Sequence, residues 1–170
     1  MIERLLQDHQ KIRQNAATFL VLVSRPEPCD PDILADRRWA LARLILQHLP
    51  VEERHLYRHL ENAHDPAVVA LADASRHRLE KLYGRLRQHT ETWQAGTIDR
   101  DWPTYCMQTS ALMGELIDRI NEEEAELYPQ LERVAHIGTE RRPTDRNWAG
   151  NSHLIKANLM APAASLECDQ

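Results

Sequence analysis

The sequence predicts an all-α protein: an antiparallel up-down-up-down four-helix bundle over residues 1–137 with an irregular C-terminal tail at 138–170. Three observations carry this prediction. Four long stretches place apolar residues three and four apart, the spacing that lines one face of a helix. Glycine is scarce, with 5 in 170 residues, while 42% of the chain is hydrophobic and 28% charged, a composition that suits helices around a single core. The third is an internal repeat: QHLPVEERHLYRHLE at 47–61 and DRINEEEAELYPQLE at 118–132 align without a gap. Glu52, Glu53, Leu56, Tyr57, Leu60 and Glu61 of the first copy recur as Glu123, Glu124, Leu127, Tyr128, Leu131 and Glu132 of the second.

The first helix is expected over residues 2–23, where Ile2, Leu5, His9, Ile12, Ala16 and Leu20 form one stripe, and the prolines of segment 25–31 end it. Asp30-Pro31 has the pattern of a helix start, and the second helix follows to residue 62. Pro50 falls inside it, removes a backbone donor and crowds the carbonyl of residue 46, which predicts a kink between His48 and Glu52. Asp65-Pro66 starts the third helix, which reaches residue 93, and residues 96–101 form a connection. The fourth helix runs over 101–134, with Pro129 bending or shortening its end. Short connections between long helices favour antiparallel neighbours. Beyond it, Gly138, Pro143, Gly150 and Pro162 interrupt any periodicity.

The formal charge of -5 is spread along the chain, with only Glu122, Glu123 and Glu124 forming a run, which argues against a nucleic-acid or membrane surface. Cys29, Cys106 and Cys168 are odd in number and far apart, a pattern of neither a disulfide framework nor a zinc site, and favour a reducing compartment. The N-terminal MIERLLQDHQ lacks a secretory pattern, so a cytoplasmic protein is expected. No nucleophile–base pair and no glycine-rich phosphate loop is visible, so any redox chemistry belongs to a bound metal.

The polar residues that fall on inward stripes define the candidate site. His9, His48, Glu52, His77 and Glu123 stand where apolar residues are normally expected, one or two on each helix. His48 and Glu52 are four apart, so imidazole and carboxylate share a helix face. Burying such groups without partners costs several kcal/mol, which a shared cation or a closed hydrogen-bond network offsets. Asp73, one turn before His77, is a further candidate, and His55 and His59 continue the His48 stripe. Glu53 and Glu124 serve either as acceptors for histidine N–H groups or as surface carboxylates, and Tyr57 and Tyr128 pack beneath the site. Trp39, Trp93, Trp102 and Trp148 are expected to pack the bundle or dock the tail.

Four motifs together, LLQDHQKI around His9, HLPVEERHLY around His48 and Glu52, ASRHRLEKL around His77 and EEEAELYP around Glu123, resemble the hemerythrin-like family of HHE cation-binding domains over residues 1–134. The resemblance implies an antiparallel four-helix bundle around a non-haem di-iron centre, with His9, His48, Glu52, His77 and Glu123 as ligands and carboxylates bridging the irons. It implies a protein that binds or senses oxygen or nitric oxide, or handles iron. The family's remaining histidine falls on Arg119, whose guanidinium has no lone pair and keeps its proton. Two outcomes are open. Arg119 swings to solvent and leaves five protein ligands with an open position, or its charge enters the cavity and pairs with Glu52 and Glu123. The second outcome describes a metal-free bundle acting as an interaction or regulatory module, with the tail available for a partner or a second copy. A ferritin-like carboxylate enzyme is disfavoured, because the Glu-x-x-His pairs of that class are missing.

Overall fold

A computed structural model describes residues 2–137 and shows an all-α domain. Helix α1 (Ile2–Val23) is followed by α2 (Pro31–Glu52), a π-helical turn (Glu53–Tyr57) and the short α3 (Arg58–Glu61). Then come α4 (Pro66–Thr92), α5 (Ala95–Ile98), α6 (Trp102–Glu122), a second π turn (Glu123–Leu127) and α7 (Tyr128–Ile137). Helix α1 packs on α2 and α6, α4 packs on α6, and α3 packs on α4 and α7. The tail, and Trp148 within it, lie outside the described residues. None of the described helices is long and apolar enough to cross a membrane.

Helix starts follow one device. The carboxylates of Asp30, Asp65 and Asp101 accept from backbone N–H groups of Asp32, Ala67 and Thr104, and a proline occupies the first or second helical position each time. This satisfies donors that the first turn otherwise strands, with a residue that has no donor to strand. The connection expected over 96–101 is tightened by the short helix α5, whose Thr97 hydroxyl accepts from the Gln94 N–H and donates to the Gln94 carbonyl.

The long second and fourth helices differ from expectation where the repeat lies. Helix α2 stays α-helical through Pro50 to Glu52 and opens into a π turn immediately afterwards. The second copy has Asn121 in place of Pro50 and opens in the same way at Glu123, so the proline is not the cause. Pro129 does not end the chain's helical course either, because it sits in the first turn of α7, which continues to Ile137. A π turn holds one residue more than an α turn and re-aims every side chain after it. The buried positions consequently repeat in register: His48, Leu49, Glu52, Leu56, Tyr57 and Leu60 match Arg119, Ile120, Glu123, Leu127, Tyr128 and Leu131.

Two apolar clusters form the core, one around Phe19, Leu41, Leu112 and Leu116, the other around Leu5, Leu56, Leu60 and Leu131. Between them lies a buried polar layer containing His9, His48, Glu52, Arg76, Arg119 and Glu123. Arg76 of α4 is the largest of the fully buried side chains. Its guanidinium donates to Glu53 at 2.9 and 3.1 Å, pairs with Glu61 at 2.7 Å and lies 4.9 Å from the centre of the Tyr57 ring. One cation thus clamps the first π turn and α3 onto α4. At the other end of the bundle, Arg38 donates to the Trp93 carbonyl at 2.7 Å, and His89 meets the Thr109 hydroxyl at 3.0 Å.

Two predictions follow from these buried groups. Replacing Arg76 by Leu leaves Glu53 and Glu61 half-buried without their cation and costs about 3 kcal/mol in urea denaturation, the order expected on breaking a buried pair. Burial, assisted by the Arg38 charge, pushes His89 down to about 4 from 6.5. The unfolded chain therefore binds the extra proton first, and stability contributed by neutral His89 is lost as pH falls from 6.5 toward 4. Its neighbours Arg38, Thr109, Trp93 and Tyr105 include no carboxylate to reverse that sign. Thermal melts of His89→Gln show a shallower fall of melting temperature over that interval than the parent.

Candidate metal centre

Helix α1 brings His9 into the polar layer, α2 brings His48 and Glu52, and the second π turn brings Glu123. Nε2 of His9 lies 3.1 Å from Nε2 of His48 and 3.2 Å from Oε2 of Glu123. Nε2 of His48 lies 3.6 Å from Oε2 of Glu52. Four of the five sequence candidates therefore meet at one place. Ligand atoms of His9, His48 and Glu123 all fall within 4.8 Å of one another, a span that suits a single ion.

His77 does not join them. Its side chain is 60% exposed on the outer face of α4, with Nδ1 against the Asp73 carbonyl at 2.8 Å, and Asp73 is equally exposed. The reason is helical phase. Val68, Ala72, Ser75, Arg76, Leu79 and Leu82 form the buried stripe of α4, and His77 stands one residue off it. Arg76 takes the inward place. His59 is exposed and His55 only half-buried, neither in contact with the cluster.

Arg119 turns inward and is 5% exposed. Its Nη2 stands 2.5 Å from Oε1 of Glu123 and donates to the Tyr57 hydroxyl. Glu123 thus divides its oxygens, Oε2 toward His9 and Oε1 toward Arg119. Burial works against the Arg119 charge, but Glu123, Tyr57 and Glu52 outweigh it and hold its pKa above the usual value.

The two carboxylates also meet each other. Burial, then the charge of Glu123, pushes Glu52 up to about 8. Burial likewise raises Glu123, although Arg119 opposes it. Both carboxylates are thus shifted toward the protonated form, Glu123 being the one that faces the guanidinium. Burial lowers His9 and His48, which leaves both imidazoles neutral with a lone pair each. The hydroxyls of Tyr57 and Tyr128 are held protonated by burial and the nearby carboxylates.

Sequence reading left the role of Glu124 open, and the structure resolves it. Oε1 of Glu124 accepts from His9 Nδ1 at 2.9 Å and from Arg13 at 2.7 Å, while Arg13 also donates to Asn121. With Nδ1 of His9 as the donor, Nε2 carries the lone pair and points at His48. The Tyr128 hydroxyl sits 3.2 Å from His9 Nε2, and its ring stacks on the imidazole. An imidazole oriented by a carboxylate on its far nitrogen is the usual support of a metal ligand. Sequence reasoning missed Arg13 and Arg76, which anchor Glu124 and Glu53, the matching glutamates of the repeat.

The spacing of the donor atoms decides between one cation and two. Nitrogens roughly 2.1 Å from a common ion stand about 3.0 to 3.4 Å apart, from cis-octahedral to tetrahedral geometry. The distances of 3.1 and 3.2 Å fall in that window. Oε1 of Glu52 is buried without a hydrogen-bond partner, so the polar layer is not closed by the protein's own groups at the cluster; Nδ1 of His48, also unpartnered, is on the ring edge away from it. One cation fits. A second does not, because Arg119 already brings a positive charge to the other oxygen of Glu123, His77 of α4 faces outward, and His89 of α4 is held at the far end against Thr109, Trp93 and Tyr105.

No curated protein and no solved structure shows significant similarity to the chain. The model of the hemerythrin HHE cation binding domain matches residues 1–131, from α1 through the second π turn and into α7. That span includes the whole polar layer, and by it the chain belongs to the hemerythrin HHE cation-binding domain family.

Proposed function

We propose that the protein is a non-haem iron-binding member of its family that holds one metal ion rather than two, with His9, His48, Glu52 and Glu123 as ligands. The four long segments are inferred to run alternately up and down, an arrangement supported by the short connections and by the packing of α1 on α2 and α6 and of α4 on α6. The observation that carries the reading is the convergence of two imidazole nitrogens and a carboxylate oxygen at 3.1 and 3.2 Å. Arg119 stands where a second cation would share Glu123, so its guanidinium replaces that ion instead of expelling both. His9, His48, Glu52 and Glu123 would hold a ferrous ion, which would supply affinity for oxygen or nitric oxide. The protein's own residues do the rest. Glu124 orients His9, Tyr128 covers its ring, and the apolar clusters on both sides keep water away.

Binding or sensing of oxygen or nitric oxide is the use this site favours, with iron handling as the variant in which the ion is the cargo. The ion pair between Arg119 and Glu123 favours a second reading, a metal-free bundle that keeps the fold as a regulatory or interaction module. Its cost is the meeting of two neutral imidazoles and two carboxylates with Oε1 of Glu52 left without a partner, which a bound cation relieves.

Anaerobic reconstitution with ferrous iron, followed by metal analysis, distinguishes these readings. The expected result is about one iron per chain, with the folded state stabilised by about 2.7 kcal/mol at a hundredfold excess over Kd. His9→Ala removes both the iron and the stabilisation, whereas His77→Ala keeps both and changes stability by no more than about 0.5 kcal/mol. Two irons per chain would sink the single-ion reading, and none would establish the metal-free module.

A further inference from the structure

Among the described residues, the closely packed helix pairs include α1 with α2, α1 with α6, α4 with α6 and α3 with α4, but not α2 with α4. Those two helices are pinned at their ends. Helix α3 packs on α4 at one end, and Arg38 of α2 donates to the Trp93 carbonyl after α4 at the other. Between the pins the seam is open. It holds a cavity of about 70 Å³ walled mainly by apolar side chains, among them Leu41, Ile45, Leu46, Leu86 and Met113. A second cavity of about 30 Å³ lies deeper and shares Ile45, Tyr83 and Leu86 with the first. Its inner wall is formed by His48, Glu52, Arg119 and Glu123.

We propose that this seam is a passage admitting small uncharged molecules of diatomic size from the α2–α4 face to the buried cluster, with Ile45 and Leu86 as its neck. Arg38, His89 and Thr109 give the outer cavity a polar end, but the neck at Ile45 and Leu86 is apolar, and a charge passing it sheds its hydration without replacement. A small apolar molecule pays no such penalty, and dry apolar cavities take up inert gases readily. The volumes set the size limit, since the inner chamber is too small for a drug-sized or even a ring-sized ligand. The passage rests on the metal reading only for what the molecule meets at its inner end. It also separates the uses left open above, because it serves gas binding and does nothing for iron transfer.

The passage is tested first on the metal-free protein, by methyl NMR under oxygen pressure, in which dissolved oxygen speeds relaxation of nearby methyl groups. Strong effects are expected at Ile45 and Leu86 and at Leu79, Leu116 and Ile120 of the inner chamber. Filling the neck with Leu86→Trp or Ile45→Phe abolishes the inner effects while the methyls of Leu41 and Met113 on the far wall of the outer cavity keep theirs, and Val21→Trp on the exposed face of α1 changes nothing. The iron-loaded variants then bind nitric oxide at least about tenfold more slowly with unchanged iron content, as expected when access is obstructed. Absence of oxygen effects at the inner methyls overturns the passage. So do inner effects that persist in both neck variants. A chain that admits oxygen to the inner chamber but binds no iron would refute the metal reading and leave the passage standing.

Discussion

Two carboxylates from separate helices, Glu52 and Glu123, meet in the middle of an otherwise apolar core, and the surrounding structure is arranged to make that meeting tolerable. Burial raises the pKa of both, and the charge of Glu123 adds to the rise at Glu52. Arg119 supplies positive charge to Oε1 of Glu123, while on the other side Nε2 of His9 meets Oε2 of Glu123 and Nε2 of His48, a cluster of acceptors that a cation would complete. The π turns follow from the same demand. Each places a tyrosine five residues after its glutamate yet on the same buried face, so that Tyr57 and Tyr128 close the layer from below.

The repeat extends beyond the ligand positions. Glu53 and Glu124 occupy matching places, and each is held by an arginine reaching from another helix, Arg76 from α4 and Arg13 from α1. The consequences differ because the fourth partner differs. Glu124 passes its negative charge on to His9, while Glu53 is spent entirely on Arg76. One half of the polar layer is therefore rich in free donors for a cation. The other half is already neutralised by protein cations.

Much of this was legible in the sequence. Helix starts were marked by aspartate–proline pairs, and the offset between the two copies of the repeat reproduces the burial pattern of both helices residue by residue. His9, His48, Glu52 and Glu123 were recognisable as polar residues on apolar stripes. Sequence reading puts His77 on an inward stripe and the resemblance makes it a ligand, but the stripe through Ala72, Leu79 and Leu82 makes Arg76 the inward residue and leaves His77 exposed. The π turns left no local signature. Proline was the visible irregularity, yet the turn forms equally well without it, and only tertiary packing of the tyrosines and glutamates selects it. The direction taken by Arg119 was open for the same reason, since a long side chain is placed by its partners and not by its spacing.

The polar layer also divides the molecule. It separates two apolar clusters that each have their own leucines and aromatic rings, and Ile45 is among the few side chains packed against both. Cooperativity between the two halves must therefore pass through the layer, where the links are hydrogen bonds and ion pairs whose strength depends on what occupies the centre. A domain built this way has a seam of adjustable stiffness across its middle. Whatever binds there sets how far the opening of one half is felt by the other, which turns a small change in ligation into a change in the mechanics of the whole domain.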